Sequence, residues 1–316
     1  MITTTDIVTE YGAYYEDAGQ NKKRILSMLT QGSEITSLAT PIKTDDTIFR
    51  LANATFQSLV QPFQKAFTAK GGVDIVPNEI RQYRFKIDYE FMPDELYATW
   101  LGFLTANTTD RKSWPFVKWL VEVYFKKQIA QDMELNEYYN ADYRTPTAGT
   151  PGQISSSMDG VKKLLQVGVD ADKMNVIDIG ALDAATIFDQ VETFTDGIAE
   201  VYQGVPMDVC MSRQWYKKYM QDKRVQGFYQ RLNQHDIDAG IDFTPLNVRP
   251  LAAMVGSDDI FCTPKANFLH ISPATNTKNN FKIEEAKRAV AVMADWSEGL
   301  GFGIDEIVWT NKAKTA

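Results

Sequence analysis

The sequence predicts an α+β protein, on three observations. Residues 83–91 read YRFKIDYEF, apolar at every odd position and charged at every even one. That period of two marks a strand with one covered face. Residues 113–140 repeat apolar side chains at three- and four-residue steps, the period of a long helix. Beyond residue 157 short strands and helices alternate, and the chain closes on strands again.

Taken in order, residues 1–45 are rich in Thr, Ser, Asp and Gln. Apart from one short helical stretch, NKKRILSMLT, they read as an extended arm that needs another surface to lie on, or as a disordered tail. Residues 47–69 read either as strands or as a short helix, interrupted by Pro62 and ended by Gly71 and Gly72. VDIVPNEI then predicts a partner strand for YRFKIDYEF, making a hairpin. Its apolar face of Tyr83, Phe85, Ile87, Tyr89 and Phe91 must be covered by a local core or by a neighbouring subunit.

The helix over 113–140 has Ser113 as cap and Pro115 in its tolerant first turn, and would run about 40 Å. RTPTAGTPGQISSS, residues 144–157, carries the strongest linker signal and predicts a subdomain boundary. A helix is then expected over 157–167, a strand at MNVIDIG, and a helix capped by Asp183 that carries Ile187, Phe188, Val191, Phe194 and Ile198. PMDVCMS predicts a strand, Ser212 the start of a helix with Trp215, Tyr216 and Tyr219, and NVRPLAAMVGS, DIFCTP and NFLHIS further strands. Near the end, AVAVMADW and GIDEIVW predict a terminal hairpin. Its corner would be SEGLGFG, with Trp296 packing one strand and Gly299, Gly301 and Gly303 turning the chain.

Composition narrows the function. The formal net charge is -8, which argues against a broadly basic nucleic-acid surface. No apolar run reaches the roughly 20 residues of a membrane helix. The first residues have no basic stretch and no apolar core, so no signal peptide is expected; the sequence starts at Met1, and if that is the mature form no long propeptide is expected to have been removed. Cys210 and Cys262 both lie in apolar strand-like runs and are expected as buried free thiols.

Chemistry-bearing motifs are weak. The glycine segment is spaced G-x-G-x-G and is followed by a strand, whereas a dinucleotide loop needs G-x-G-x-x-G and a helix behind it. His235 and His270 lie in different elements, and Asp170 with Asp172 does not complete a calcium loop. No G-x-S-x-G occurs, and Cys210 has no basic neighbour in sequence. No catalytic residue, metal or cofactor is therefore expected. One stretch stands apart: Arg213, Lys217, Lys218, Lys223, Arg224 and Arg231 share their segment with a single acid, Asp222, and with Trp215, Tyr216, Tyr219, Phe228 and Tyr229. It reads as a solvated helix face, a nucleic-acid face, or a surface meeting acidic neighbours around an oligomer axis.

The order of these segments resembles the major capsid proteins of tailed bacteriophages with the Hong Kong 97-like shell fold. NFKIEEAKRAVAVMADWSEGLGFGIDEIVW is similar to the closing segment of many such proteins. MVGSDDIFCTPKANFLH, with Thr263-Pro264 and Asn267, is similar to the strand–turn–strand before it. The resemblance implies an N-terminal arm over 1–45 and an extended loop over 70–98. It implies a peripheral subdomain from 46–69 and 99–149 that includes the spine helix 113–140, an axial subdomain over 150–282, and C-terminal peripheral strands over 283–316. It further implies a non-enzymatic subunit that assembles into hexameric and pentameric capsomers of an icosahedral shell, in the host cytoplasm. That shell encloses double-stranded DNA without sequence-specific binding. Tyr83, Phe85, Ile87, Tyr89 and Phe91 would then lie at a subunit contact. An arm of this length is too short to hold a scaffolding region, so a separate scaffold and a portal are the expected partners. Some members crosslink a loop lysine to a neighbour's asparagine; Lys70 and Lys86 stand in candidate positions, with no partner identified. The alternatives are an encapsulin-like nanocompartment shell around a protein cargo, and a cytosolic α/β enzyme.

Overall fold

The computed structural model describes residues 34–56, 58–92, 100–101, 120, 125–226, 240–274, 281–286 and 289–315. Of the predicted helix over 113–140, residues 113–119 and 121–124 lie outside these residues, as do His235 and Arg231.

Helix α1 (Glu34–Leu38) leads into β1 (Thr40–Lys43). Ile35 is fully buried, so this end of the predicted arm is part of the body. Strands β2 (Ile48–Phe56) and β3 (Val73–Arg81) pair antiparallel from Ile48↔Arg81 to Phe56↔Val73, a two-stranded ribbon about 30 Å long. Strand β4 (Tyr83–Phe91) follows after one residue. The expected hairpin between VDIVPNEI and YRFKIDYEF does not form. β3 pairs with β2, and β4 pairs with a strand about two hundred residues further along the chain, one edge of which is taken by another strand and the other edge of which β4 satisfies.

Helix α2 (Lys126–Asp132) continues into a π-helical turn over Met133–Glu137, the described end of the predicted long helix. The expected linker does not swing free. Both oxygens of the buried Glu137 carboxylate accept backbone N–H bonds, from Ser155 and Ser157 at 3.0 Å each. Burial pushes its pKa up against those two bonds.

Helix α3 (Val161–Asp170), strand β5 (Asn175–Val176), α4 (Ile187–Asp196), α5 (Glu200–Gln203), β6 (Met207–Ser212) and α6 (Arg213–Val225) come next. Ser212 caps α6 as predicted, accepting from the Trp215 N–H at 3.4 Å. The cap expected of Asp183 is made instead by Asp222, whose carboxylate takes the Phe188 N–H at 2.9 Å from across the α4–α6 contact. Asp183 bonds one turn earlier, to the Ala185 N–H.

Strands β7 (Asn247–Leu251), β8 (Phe261–Pro264), β9 (Phe268–Ser272), β10 (Phe281–Ala286), β11 (Ala289–Phe302) and β12 (Trp309–Thr310) complete the described elements. They build two mixed sheets. One runs β1-β9-β11-β10, with β4 also on β11; the other runs β5-β12-β8-β6-β7. The predicted terminal hairpin is absent, since β12 pairs with β8 and β5 and not with β11.

The apolar side chains divide into two large clusters. One joins β4, α2, α3, β9 and β11 around Tyr83, Phe85, Met133, Leu165, Trp296 and Phe302. The other joins α4, α6 and the second sheet around Phe194, Val209, Tyr219 and Trp309. Because Val161, Leu165 and Val169 of α3 pack in the first cluster, that core runs across residue 150 and does not end there.

Candidate assembly interface

Strand β11 organises the body, and its alternation explains why. Val290, Val292, Ala294, Trp296, Leu300 and Phe302 are all buried, and Trp296, Leu300 and Phe302 pack in the first core. Phe85 stacks on its register partner Trp296, ring centroids 5.4 Å apart. The opposite face carries Gly299 and Gly301, and the ribbon base crosses there. A Cβ on Gly301 would meet the Ile80 side chain at 2.6 Å, and one on Gly299 would collide with the Arg81 carbonyl.

This corrects the expected glycine corner. Gly299 and Gly301 are paired inside a continuous strand, facing Ile271 and Leu269 of β9. Their role is close backbone approach, the other reason a strand contains glycine. Gly303 follows the strand, and its N–H donates to the Asn267 carbonyl at 2.8 Å. The Asn267 side chain then grips Ile304, donating to its carbonyl at 2.9 Å and accepting its N–H at 2.7 Å. From the ribbon, the Asn78 amide donates to the Phe302 carbonyl at 2.8 Å.

The expected interface face of β4 is also corrected. Tyr83, Phe85 and Phe91 are buried within this chain, and Ile87 packs partly buried against the same core. Only Tyr89 stays substantially open, with its edge contact to Phe125. Strict alternation reports a covered face and cannot say whose atoms cover it. Lys86, on the charged side of β4, pairs with Asp88.

Exposed apolar surface gathers elsewhere, on the ribbon tip over residues 58–72. Phe63 is 93% exposed and Phe67 97%, with Leu59 and Val60 open beside them. The tip is tied to itself: the Gln61 amide donates to the Thr68 carbonyl at 2.8 Å, and Lys70 to the Val60 carbonyl at 2.5 Å. The sequence reading missed this tip because it has no period. The available signal was a group of apolar residues between two strand-like runs, broken by a proline.

The polar groups inside the body act as ties. Tyr138 donates to Glu298 at 2.7 Å, and His270 Nε2 lies 3.3 Å from the same carboxylate oxygen, all three buried. Burial first, then the Glu298 charge, pushes the Tyr138 phenol well above its ordinary range, so it stays a donor. Tyr139 donates to Asp259 at 2.8 Å, and Lys312 donates to the same carboxylate at 3.1 Å. Tyr83 bonds the Asp159 carboxylate, and Arg81 sits 5.4 Å from the centres of both the Tyr83 and Tyr143 rings.

A cleft of about 320 Å³ opens between Leu38, Met207, Cys210, Phe261 and Phe268. The ionisable groups in its lining are Asp208, Cys210 and Lys265. Asp208 faces Arg249 at 3.6 Å, and burial pushes the Cys210 thiol far up. A protonated thiol beside an engaged carboxylate is not an activated nucleophile. Cys262 is likewise buried and free. Among the described residues no cluster of His, Cys, Asp and Glu is placed to hold a metal ion, and no helix is long and apolar enough to cross a membrane.

The basic run separates into parts. Lys223 is buried, donating to the Gly240 carbonyl at 2.9 Å and lying 3.6 Å from Asp242. Arg213 pairs with Glu34, whose other oxygen takes the Ala252 N–H. Lys218 lies 3.7 Å from the centre of the Trp215 ring. Lys217 and Arg224 project from the exposed side of α6.

No family model matches the sequence, and no curated protein matches it. Solved structures match the fold. A chain of the satellite phage P4 procapsid including the size determination (Sid) protein superposes with TM-score 0.59 at 12% identity, over 93% of this chain and 91% of that one. A chain of the capsid of an empty GTA particle gives 0.50 at 12% identity, over 90% of each. A chain from Gordonia phage Cozz gives 0.51 at 9% identity, over 90% of this chain and 87% of that one. The chain therefore has the mixed helix-and-sheet fold of phage capsid structures.

Proposed function

We propose that this chain is the major capsid protein of a tailed bacteriophage. In this reading it is a non-enzymatic subunit with the Hong Kong 97-like arrangement, closing with many copies of itself into an icosahedral shell. The observation that carries the reading is the superposition on the P4 procapsid chain over 93% of this sequence, nearly end to end and not on one shared motif. The ribbon supports it. A two-stranded ribbon that carries Phe63 and Phe67 almost fully exposed leaves apolar surface for another molecule to cover. Contacts that are individually small become a stable closed shell when symmetry repeats them.

On this account the copies form hexameric and pentameric capsomers in the host cytoplasm, with a separate scaffold and a portal as partners. The shell encloses double-stranded DNA without sequence-specific binding, in keeping with an acidic chain that carries no sequence-reading motif. Isolation of particles containing this chain from infected or induced host cells tests the assignment. Nuclease-protected double-stranded DNA inside them is the expected result. Particles filled with a protein cargo and free of DNA contradict the genome-enclosing role and describe a nanocompartment instead.

A further inference from the structure

Two helices of the second core carry opposite charges that do not meet. Helix α4 exposes Asp189 and Asp196, with Glu192 half-buried between them and Glu200 exposed at the start of α5. Helix α6 exposes Lys217 and Arg224. The two helices pack directly on each other, Phe188 stacking on Tyr219 at 5.7 Å and Asp222 bonding the Phe188 N–H. Even so, among the described residues none of these six charged side chains is in a salt bridge. The charges around them that do pair are engaged elsewhere, Arg213 with Glu34 and Lys223 near Asp242.

The acidic stripe is crowded with its own sign. Burial, then the charges of Asp189, Asp196 and Asp242, raise the Glu192 pKa, and only Lys223 opposes them. The stripes also match in length. Asp189 to Asp196 is seven residues and so is Lys217 to Arg224, each about 10 Å along a helix.

We propose that the acidic stripe of α4 in one copy docks on the basic stripe of α6 in a second copy. The contact is heterologous, because the two stripes are different surfaces of one chain. Such a contact propagates head to tail and closes into a ring when the rotation allows. Exposed ion pairs are weak one at a time and screened by salt, so the contact sets register and direction within a ring held together by other surfaces. The inference rests on the self-assembly reading above and adds to it which faces of neighbouring copies meet.

Charge reversal tests it with the full chain. Lys217→Glu with Arg224→Glu makes both stripes acidic, and Asp189→Lys with Asp196→Lys makes both basic. The four changes together restore opposite signs in the reverse sense. Assembly is read by sedimentation and electron microscopy at about 0.1 M salt, where screening acts over about 10 Å. Circular dichroism and thermal melting check folding, and the milder Lys217→Gln with Arg224→Gln stands in if a reversal unfolds. Each two-site variant is expected to lose assembled material at least tenfold while staying folded, and the four-site variant to recover it. Either two-site variant assembling as well as the parent overturns the proposal. So does a folded four-site variant that stays unassembled, with the parent's own particles leaving the shell reading intact. A parent chain that never assembles removes the shell reading itself.

Discussion

The Gly301 Cα faces the Ile80 side chain so closely that a methyl group there would stand 2.6 Å from it. Nearby, Gly299 meets the Arg81 backbone. Side chains yield more easily than backbone, so the two positions should differ. Gly301→Ala is expected to cost about 1–3 kcal/mol by overpacking, and Gly299→Ala more than that. Gly204→Ala, where nothing lies within 4 Å, is the control and should change stability by less than about 0.5 kcal/mol. Urea unfolding of the three variants checks the order. Equal losses at all three positions would remove the close-approach argument.

Phe85 and Phe67 make the opposite pair of tests. Phe85→Asp places a charge in the first core against Trp296 and should cost more than about 3 kcal/mol, leaving little folded protein. Phe67→Asp alters a side chain that is 97% exposed, so the melting temperature should hold while assembly falls. A folded Phe85→Asp protomer would return β4 to the subunit surface.

The Asp259 carboxylate gives the body an acid-sensitive tie. Burial raises its pKa, but the Tyr139 hydroxyl and the Lys312 charge outweigh that and hold it below the ordinary carboxylate value. A depressed folded value adds stability above the unfolded pKa and loses it as pH falls through the folded one. Asp259→Asn should therefore cost about 1–3 kcal/mol at neutral pH, with the gap to the parent narrowing below about pH 4. Thermal melts across pH 3 to 7 read this out (the range brackets the ordinary aspartate pKa). A gap constant with pH would mean the charge is not what matters.

Helix α4 tests where its cap lies. Asp222→Ala strips the acceptor from the buried Phe188 N–H and should cost about 1–3 kcal/mol. Asp183→Ala loses an exposed bond to Ala185 and should cost less than about 1 kcal/mol. The reverse order by denaturant unfolding would restore the cap read from the sequence.

Local periodicity carried much of the fold, and long-range cover carried the rest. The alternation of β4 and of Val290 through Trp296, the Ser212 cap and the apolar faces of α3 and α4 were all readable, because each is set within a few residues. Which strand pairs with β4 was not, since β3 is the nearer candidate and only the folded body brings β11 beside it. The glycines misled because one residue type serves both tight turns and close approach. Their spacing did hold the answer: Gly299, Gly301 and Gly303 recur every second residue, which is one face of a strand. The ribbon tip has no period to read, and its exposure emerges only once β2 and β3 are seen to pair. The basic run was visible as composition, but which of its cations are spent inside the chain depends on Glu34 and Asp242, both remote in sequence from the groups they engage.

Electron microscopy of the purified chain, concentrated alone and with the proposed scaffold, tests the central claim most directly. The account predicts closed hollow shells, or tubes and rings built of the same capsomers. A uniform monomer or dimer under both conditions, at concentrations where other shell proteins assemble, would contradict it.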